Sequence, residues 1–479
     1  MLKRKTTLIG ILLLAGLCFC LPVAAQDQQE PEAPKPAGKA IPPIGGDDED
    51  SNPPADQMQP DNSPLTGLQE PTLGVNAERH SYWIPGVSYT NFIQSNAFTQ
   101  GGGSAWTSTS YLGGSVSLLE NWSRSRLALN YSGGGTFSTD STVGNSWYQQ
   151  MGAVQTFIRA RWQLVLLDQF SYLPQSRFGF GAGSGLAIPG VGGSLSPGLP
   201  GLQPGVDPSQ SIFAAVGTRY ANAFGTQVNY TLTRRSSVTL GGVFSILRFT
   251  KPGNIESNDT LLNAGYNFQI TSKDTIGLAY HFSAFHYIDN PQAVGSHSVL
   301  AVYGRKITGR MALQLAGGPQ ITTFRVPDLG STKTSHAGGK VIANLSYAIE
   351  QGSLSVNYLH GVTSGSGVFL GATSDQITGR ASHRISRVWS GDAHLGYAYN
   401  RSAETGSRVS GQTFHTVYVG ASAARPLGRN ATFNLGYTAY IQSSNDAFCV
   451  GPSCNTTTSY TTHQIQIGFA WRSRPFLLP

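Results

Sequence analysis

From residue 80 onward the chain repeats a two-residue period over segments too long for an ordinary globular strand. Between Phe224 and Leu232, Phe224, Thr226, Val228, Tyr230 and Leu232 share one face, while Gly225, Gln227, Asn229 and Thr231 share the other. Such alternation specifies a β-strand. After Arg234-Arg235-Ser236 the pattern returns through Val238, Leu240, Phe244 and Ile246. It recurs in Leu262, Ala264, Tyr266, Phe268 and Ile270, in Ile276, Leu278, Tyr280 and Phe282, and in Val341, Ala343, Leu345, Tyr347 and Ile349. A late copy is Ala431, Phe433, Leu435, Tyr437 and Ala439. Two stretches, 148–172 and 296–306, alternate less cleanly.

A soluble sandwich would also alternate, so segment length and the polar face decide. The segments run about 10 to 13 residues, near the roughly 9 to 11 that a tilted strand needs to cross hydrocarbon and longer than the usual five or six. Closing such strands into a barrel leaves no backbone group unpaired in lipid. Apolar side chains then face lipid, and Gln, Asn, Ser, Thr and Gly face inward. Trp162, Tyr172, Tyr303, Trp389 and Trp471 lie near strand ends, where interfacial girdles form.

Composition supports this class. Only 12% of the 479 residues are charged, about half the usual share for a soluble domain, and 58 are Gly. After residue 21 no apolar run approaches the roughly 20 residues of a membrane helix. Eight tight turns, around 120–124, 159–161, 233–236, 271–274, 306–309, 350–353, 386–388 and 426–429, alternate with longer polar connections. With an opening strand near 83–95 and a closing one near 460–472, this gives a transmembrane antiparallel β-barrel of about 18 strands, with 16 as the alternative. An even number puts both ends of the barrel on the periplasmic side.

The N-terminal segments read differently. Lys3, Arg4 and Lys5, then apolar Leu8 to Leu21 and Val23-Ala24-Ala25, form a secretory signal peptide over residues 1–25. A lipoprotein signal is disfavoured because Cys18 and Cys20 each follow a bulky residue. Residues 26–78 read as a disordered periplasmic linker; between 26 and 75 there are ten prolines, ten acidic residues and two lysines. That polarity argues against a folded N-terminal plug, and hence against an energised transporter with a plugged lumen. The barrel takes residues 79–479. Residues 76–479 carry a net charge of +12. Most basic residues fall beside the tight turns, and Arg248, Arg325 and Arg401 lie towards the other mouth, where they are candidate pore or loop charges. Arg380, in step with Gln376, Thr378 and Ser382, is the expected deep lumen charge. Cys449 and Cys454 are expected to close a small disulfide loop in an exported chain.

The pattern resembles the bacterial outer-membrane β-barrel proteins, and more loosely the porins among them. The most specific local likeness is the last strand, where Ile465, Ile467, Phe469 and Trp471 alternate with Gln464, Gln466, Gly468 and Ala470. The resemblance implies that this strand is read by the barrel assembly machinery, although a tail, Arg472 to Pro479, follows it. It further implies lipid around the barrel and small polar solutes within it. By position, the Gly-rich loop 173–217, which carries Arg177, resembles the porin loop that folds inward and narrows the channel.

Enzymatic readings have little support. Neither Gly-x-Ser-x-Gly nor His-Glu-x-x-His occurs. Outer-membrane phospholipases pair a Ser with a His on the outer wall, but His281 and Ser283 share a polar face expected to be the lumen, and His360 with Ser364 is weaker. No metal or cofactor motif is present, and no basic cluster with stacking aromatics suggests nucleic acid. Two functions remain: a passive, weakly anion-preferring channel for small polar solutes, or a structural or adhesive barrel with a blocked lumen and partner-binding external loops.

Overall fold

In a computed structural model the described residues are 58–60, 64–69, 73–75, 80–95, 106–139, 144–173, 212, 218–250, 254–288, 290–308, 310–326, 332–403, 411–450 and 455–478. Residues 1–25 of the expected signal peptide lie outside them. Eighteen antiparallel strands close into one barrel. The first six are β1 (Tyr82–Gln94), β2 (Thr107–Asn121), β3 (Ser125–Ser138), β4 (Ser146–Arg159), β5 (Trp162–Leu173) and β6 (Arg219–Thr233). The next six are β7 (Ser236–Phe249), β8 (Ser257–Gln269), β9 (Asp274–Tyr287), β10 (Ala293–Thr308), β11 (Met311–Val326) and β12 (Thr332–Ile349). The last six are β13 (Gly352–Thr363), β14 (Ala372–Arg384), β15 (Ser390–Ser402), β16 (Thr413–Leu427), β17 (Ala431–Val450) and β18 (Asn455–Arg472).

Each strand pairs with its chain neighbours, and β18 closes the ring against β1, from Gln464 opposite Gln94 to Arg472 opposite Gly86. Closure removes the sheet edges that would otherwise present unpaired backbone groups. The tail that follows β18 adds to the same seam: Phe476 and Leu477 pair with Trp83 and Tyr82. The Phe476 ring stacks on Trp83 with centroids 4.9 Å apart.

Alternation sets the two faces of the wall. Phe224, Leu240, Phe244, Leu262, Tyr266, Leu278 and Tyr280 are 42–58% exposed and point outward. Their neighbours Gln227, Thr239, Ser245, Asn263 and Asn267 are buried and point inward. Outward Trp83, Trp122, Trp162 and Trp471 ring the end that carries the short turns. Both ends of the barrel, Tyr82 and Arg472, also lie there. Connections at the opposite end are mostly longer and include residues 174–218. The last of them is an exception, because β17 and β18 continue pairing to Val450 and Asn455 across a register shift between Ser443 and Phe448. Backbone Cys449 therefore lies in strand β17 opposite Thr456, rather than in an open loop. The side chain of Cys449 and the whole of Cys454 lie outside the described residues.

Before β1, Met58–Pro60 pairs antiparallel with Leu73–Val75. Between these arms, Pro64 to Gln69 lies inside the barrel.

Candidate functional site: the lumen and the two segments inside it

The lumen wall is a hydrogen-bonded polar surface. Gln320 Nε2 donates to Ser296 Oγ at 2.7 Å, Gln376 Nε2 to Ser374 Oγ at 2.9 Å, and Ser374 Oγ to Asn400 Oδ1 at 2.7 Å. Pairing of this kind satisfies groups that would otherwise be costly to bury.

At the long-loop end, residues 364–371 fold inward across the lumen. The segment Ser364-Gly365-Ser366-Gly367-Val368-Phe369-Leu370-Gly371 is buried almost throughout. Its sharp path depends on left-handed backbone at Gly365 (φ +91°) and Gly367 (φ +76°), conformations that suit glycine. Ser366 between them adopts φ 58°. Phe369 is fully buried and packs with Ile212, Ala372, Ala398, Phe414, Tyr418, Tyr440 and Tyr460. Leu370 turns to the other side, against Phe285, Tyr287, Val294 and Phe324. Main-chain groups are held as well: Ile255 N donates to Gly367 O at 2.8 Å, Gln292 Nε2 to Leu370 O at 2.9 Å, and Tyr287 OH to Ser364 O at 3.2 Å. Burial of Phe369 alone stabilises this conformation by roughly 1.5–3 kcal/mol.

This loop reads in sequence as an ordinary external connection, and the narrowing is expected instead from 173–217. Of that long loop's interior only Ile212 is described, 1% exposed and in one cluster with Phe369. Arg177 lies outside the described residues. One signal for 364–371 was available: an apolar Val-Phe-Leu triplet between glycines has no reason to sit in a solvated loop.

In the short-turn half the N-terminal segment lies against the lumen wall. Thr66 N donates to Asn267 Oδ1 at 3.2 Å, and Asn263 Nδ2 donates to Thr66 O at 2.7 Å. Leu68 N donates to Gln227 Oε1 at 2.6 Å, and Gln314 Nε2 to Leu65 O at 2.8 Å. Residues 64–69 fall within the stretch expected to be a disordered linker. Here they are corrected to an ordered, buried element, because the wall supplies the hydrogen bonds and apolar contacts that the segment lacks by itself.

The candidate pore arginines separate. Arg380 faces the lumen; its side chain is 60% exposed and its Nε donates to Asp392 Oδ2 at 2.8 Å. Asp392 Oδ1 also lies 3.7 Å from His394 Nδ1. Arg248, Arg325 and Arg401 are corrected. Leu247, Phe324 and Asn400 beside them point inward, so alternation turns these three arginines to the outer surface near the long-loop end. Arg248 is anchored there on Asn258 Oδ1 at 2.6 Å and Glu256 at 3.7 Å. The lumen cations that sequence reading missed are Lys340, 8% exposed, and Arg219, 6% exposed. Lys340 pairs with no carboxylate among the described residues, and its stem lies over Gly361.

Neither Ser–His couple forms. Ser283 and His281 share the lumen face, as expected, but His360 points outward and its Nδ1 meets Asp375 Oδ1 at 2.7 Å. Ser364 belongs to the inward loop. A further outward feature escaped sequence reading. Tyr280, Tyr397 and Tyr437 each hold the Nδ1 of a histidine on the next strand, His297, His415 and His463, at 2.7, 3.0 and 2.8 Å.

No protein-family profile and no curated protein matches this chain. Among solved structures, the chain is similar to Pseudomonas aeruginosa OpdQ at 11% identity, covering 83% of this chain and 98% of that one, with a TM-score of 0.40. The outer membrane protein OpdK of Pseudomonas aeruginosa, in a structure with vanillate, aligns at 10% identity over 82% and 99% of the two chains, with a TM-score of 0.41. Acinetobacter baumannii OccAB4 aligns at 9% identity over 84% and 100%, with a TM-score of 0.40. The closed ladder, apolar exterior and polar interior of the present chain are those of a transmembrane β-barrel on its own geometry.

Proposed function

We propose that the protein is a passive channel for small polar solutes across the bacterial outer membrane, with a weak preference for anions. The observation that carries this reading is the division of a single closed wall. Apolar and aromatic side chains face out, and an amide- and hydroxyl-rich face lines the interior. The short turns and the N-terminal arm belong on the periplasmic side in this reading, and the long loops outside. The last strand, from Ile465 to Trp471, is the segment for the barrel assembly machinery to recognise, and lipid covers the outer wall.

Lys340 supports the anion preference. It faces the lumen next to the narrowing at 364–371, where a charge acts more strongly than one on a wide, wet rim. Arg380 adds little because Asp392 pairs with it. The outward arginines do not line the path.

The second reading, a structural or adhesive barrel with a blocked lumen, draws support from the two segments inside. Swelling of liposomes that contain the purified barrel separates the two. The channel reading expects uptake of small neutral sugars with a cut-off at larger ones. Absence of swelling with any sugar, from protein shown to be folded and inserted, would support the blocked barrel.

A further inference from the structure

The short-turn half of the lumen is built as a socket for an extended peptide. We infer that it is a peptide-binding site, that residues 64–69 occupy it in cis, and that their release widens the channel; the last step rests on the channel reading above. Three independent features of the wall carry the inference.

The first feature is how the amides read main chain. Asn267, Asn263, Gln227 and Gln314 between them engage the Thr66 and Leu68 amides and the Leu65 and Thr66 carbonyls, at 2.6–3.2 Å. Gln227 and Gln314 are set in advance by their neighbours. Gln227 Nε2 donates to Asn229 Oδ1 at 3.0 Å, Asn229 Nδ2 to Gln163 Oε1 at 3.1 Å, and Asn344 Nδ2 to Gln314 Oε1 at 3.1 Å. A site whose polar groups are already oriented loses little entropy on binding.

The second feature is that the wall has been cleared where the segment's side chains rest. A β-carbon at Gly304 would come within 2.5 Å of Leu65 Cδ1, and one at Gly265 would overlap the Thr66 side chain; in both cases the segment is the first thing it meets. Glycine gives close backbone approach at both places.

The third feature is the apolar lining on a face that is otherwise polar. Leu68 packs with inward-pointing Val154, Val165, Leu167, Ala223, Val243 and Leu261. Leu65 packs against Ala279, Leu300, Val302, Ala316, Ile342 and Leu359. Without the segment this surface would be an apolar patch facing a water-filled lumen, which soluble surfaces and channel walls alike avoid. The contacts run over β4 to β13, and Arg380 on the adjoining strand β14 stays 60% exposed. The segment thus narrows the periplasmic half of the path from one side.

The test uses the full chain in planar bilayers, as the parent and as the Leu65→Asp/Leu68→Asp variant, which places charge against the apolar lining. The variant should conduct severalfold more, and a synthetic peptide spanning residues 62–71, added on the short-turn side, should return it to the parent level. Equal conductance of parent and variant overturns the inference. If both conduct well, only this inference fails; if neither conducts, the channel reading falls with it. A readout independent of conductance guards against a misfolded variant. Thr66→Cys should react slowly with a membrane-impermeant maleimide from the short-turn side, and quickly once Leu65→Asp and Leu68→Asp are added. Rapid labelling of Thr66→Cys alone contradicts a docked segment.

Discussion

Arg380 and Asp392 face each other across adjacent strands inside the lumen, with Nε 2.8 Å from Oδ2. The pair neutralises the candidate arginine on the inner face. Loss of either partner therefore exposes the charge of the other. Arg380→Ala leaves the Asp392 carboxylate unpaired and should lower the anion-to-cation permeability ratio. Asp392→Asn frees the guanidinium and should raise that ratio. Reversal potentials in a salt gradient read both.

Lys340 should have the larger effect. It lies beside the inward loop with no carboxylate partner among the described residues. Lys340→Gln keeps the side-chain volume close to that of lysine and removes the charge. The permeability ratio should fall towards unity at low salt, and the difference from the parent should shrink as salt rises and screening shortens to about 8 Å or less.

The strands were legible in sequence because one face meets lipid and the other meets water. Where the alternation is clean, as from Leu262 to Phe268, no third element touches the wall's outward residues and the inner face stays polar. Where it blurs, the reason is now visible. In 164–167 and 299–302 the inner positions are Val165, Leu167, Leu300 and Val302, and these form the apolar lining that Leu65 and Leu68 cover. The irregularity marked a docking surface. The docked segment itself was not legible, since Pro64 to Gln69 offers only two leucines among polar and flexible residues and gains its order from the wall. Arg248, Arg325 and Arg401 were misplaced because position along a strand fixes height and says nothing about face; only register with inward Leu247, Phe324 and Asn400 does.

Phe369 anchors the inward loop at the long-loop mouth. Phe369→Ala removes a fully buried ring and should cost the docked conformation about 3–5 kcal/mol. The loop is then expected to leave the lumen part of the time. Single-channel records should show a higher conductance with added current noise, whereas an unchanged record would mean that 364–371 does not narrow the path.

Asp168 is an unusual outward residue. It follows inward Leu167, stands between outward Trp162 and Tyr172, and accepts a 2.7 Å hydrogen bond from Asn222 Nδ2. A carboxyl group on the lipid face is unfavourable, though less so than a basic side chain. Replacing both partners, Asp168→Leu with Asn222→Leu, should stabilise the folded barrel by about 1 kcal/mol. Urea unfolding from lipid vesicles measures it, and a clear loss of stability would mean that this patch is covered by something other than lipid.

The Cys449 and Cys454 thiols are expected to be joined at the tip of the β17–β18 hairpin. The closed loop is small, so the bond orders the tip locally and adds little to global stability on the chain-entropy view. Intact mass of the unreduced protein should be two hydrogens lighter than that of the reduced protein; equal masses would refute the bond.

Single-channel recording of the purified, refolded chain in a planar bilayer tests the central claim most directly. The account predicts discrete, ohmic conductance steps with a reversal potential on the anion side in dilute salt, drifting towards zero as salt is raised. Folded and inserted protein that produces no steps, or steps with a strong cation preference, would contradict it.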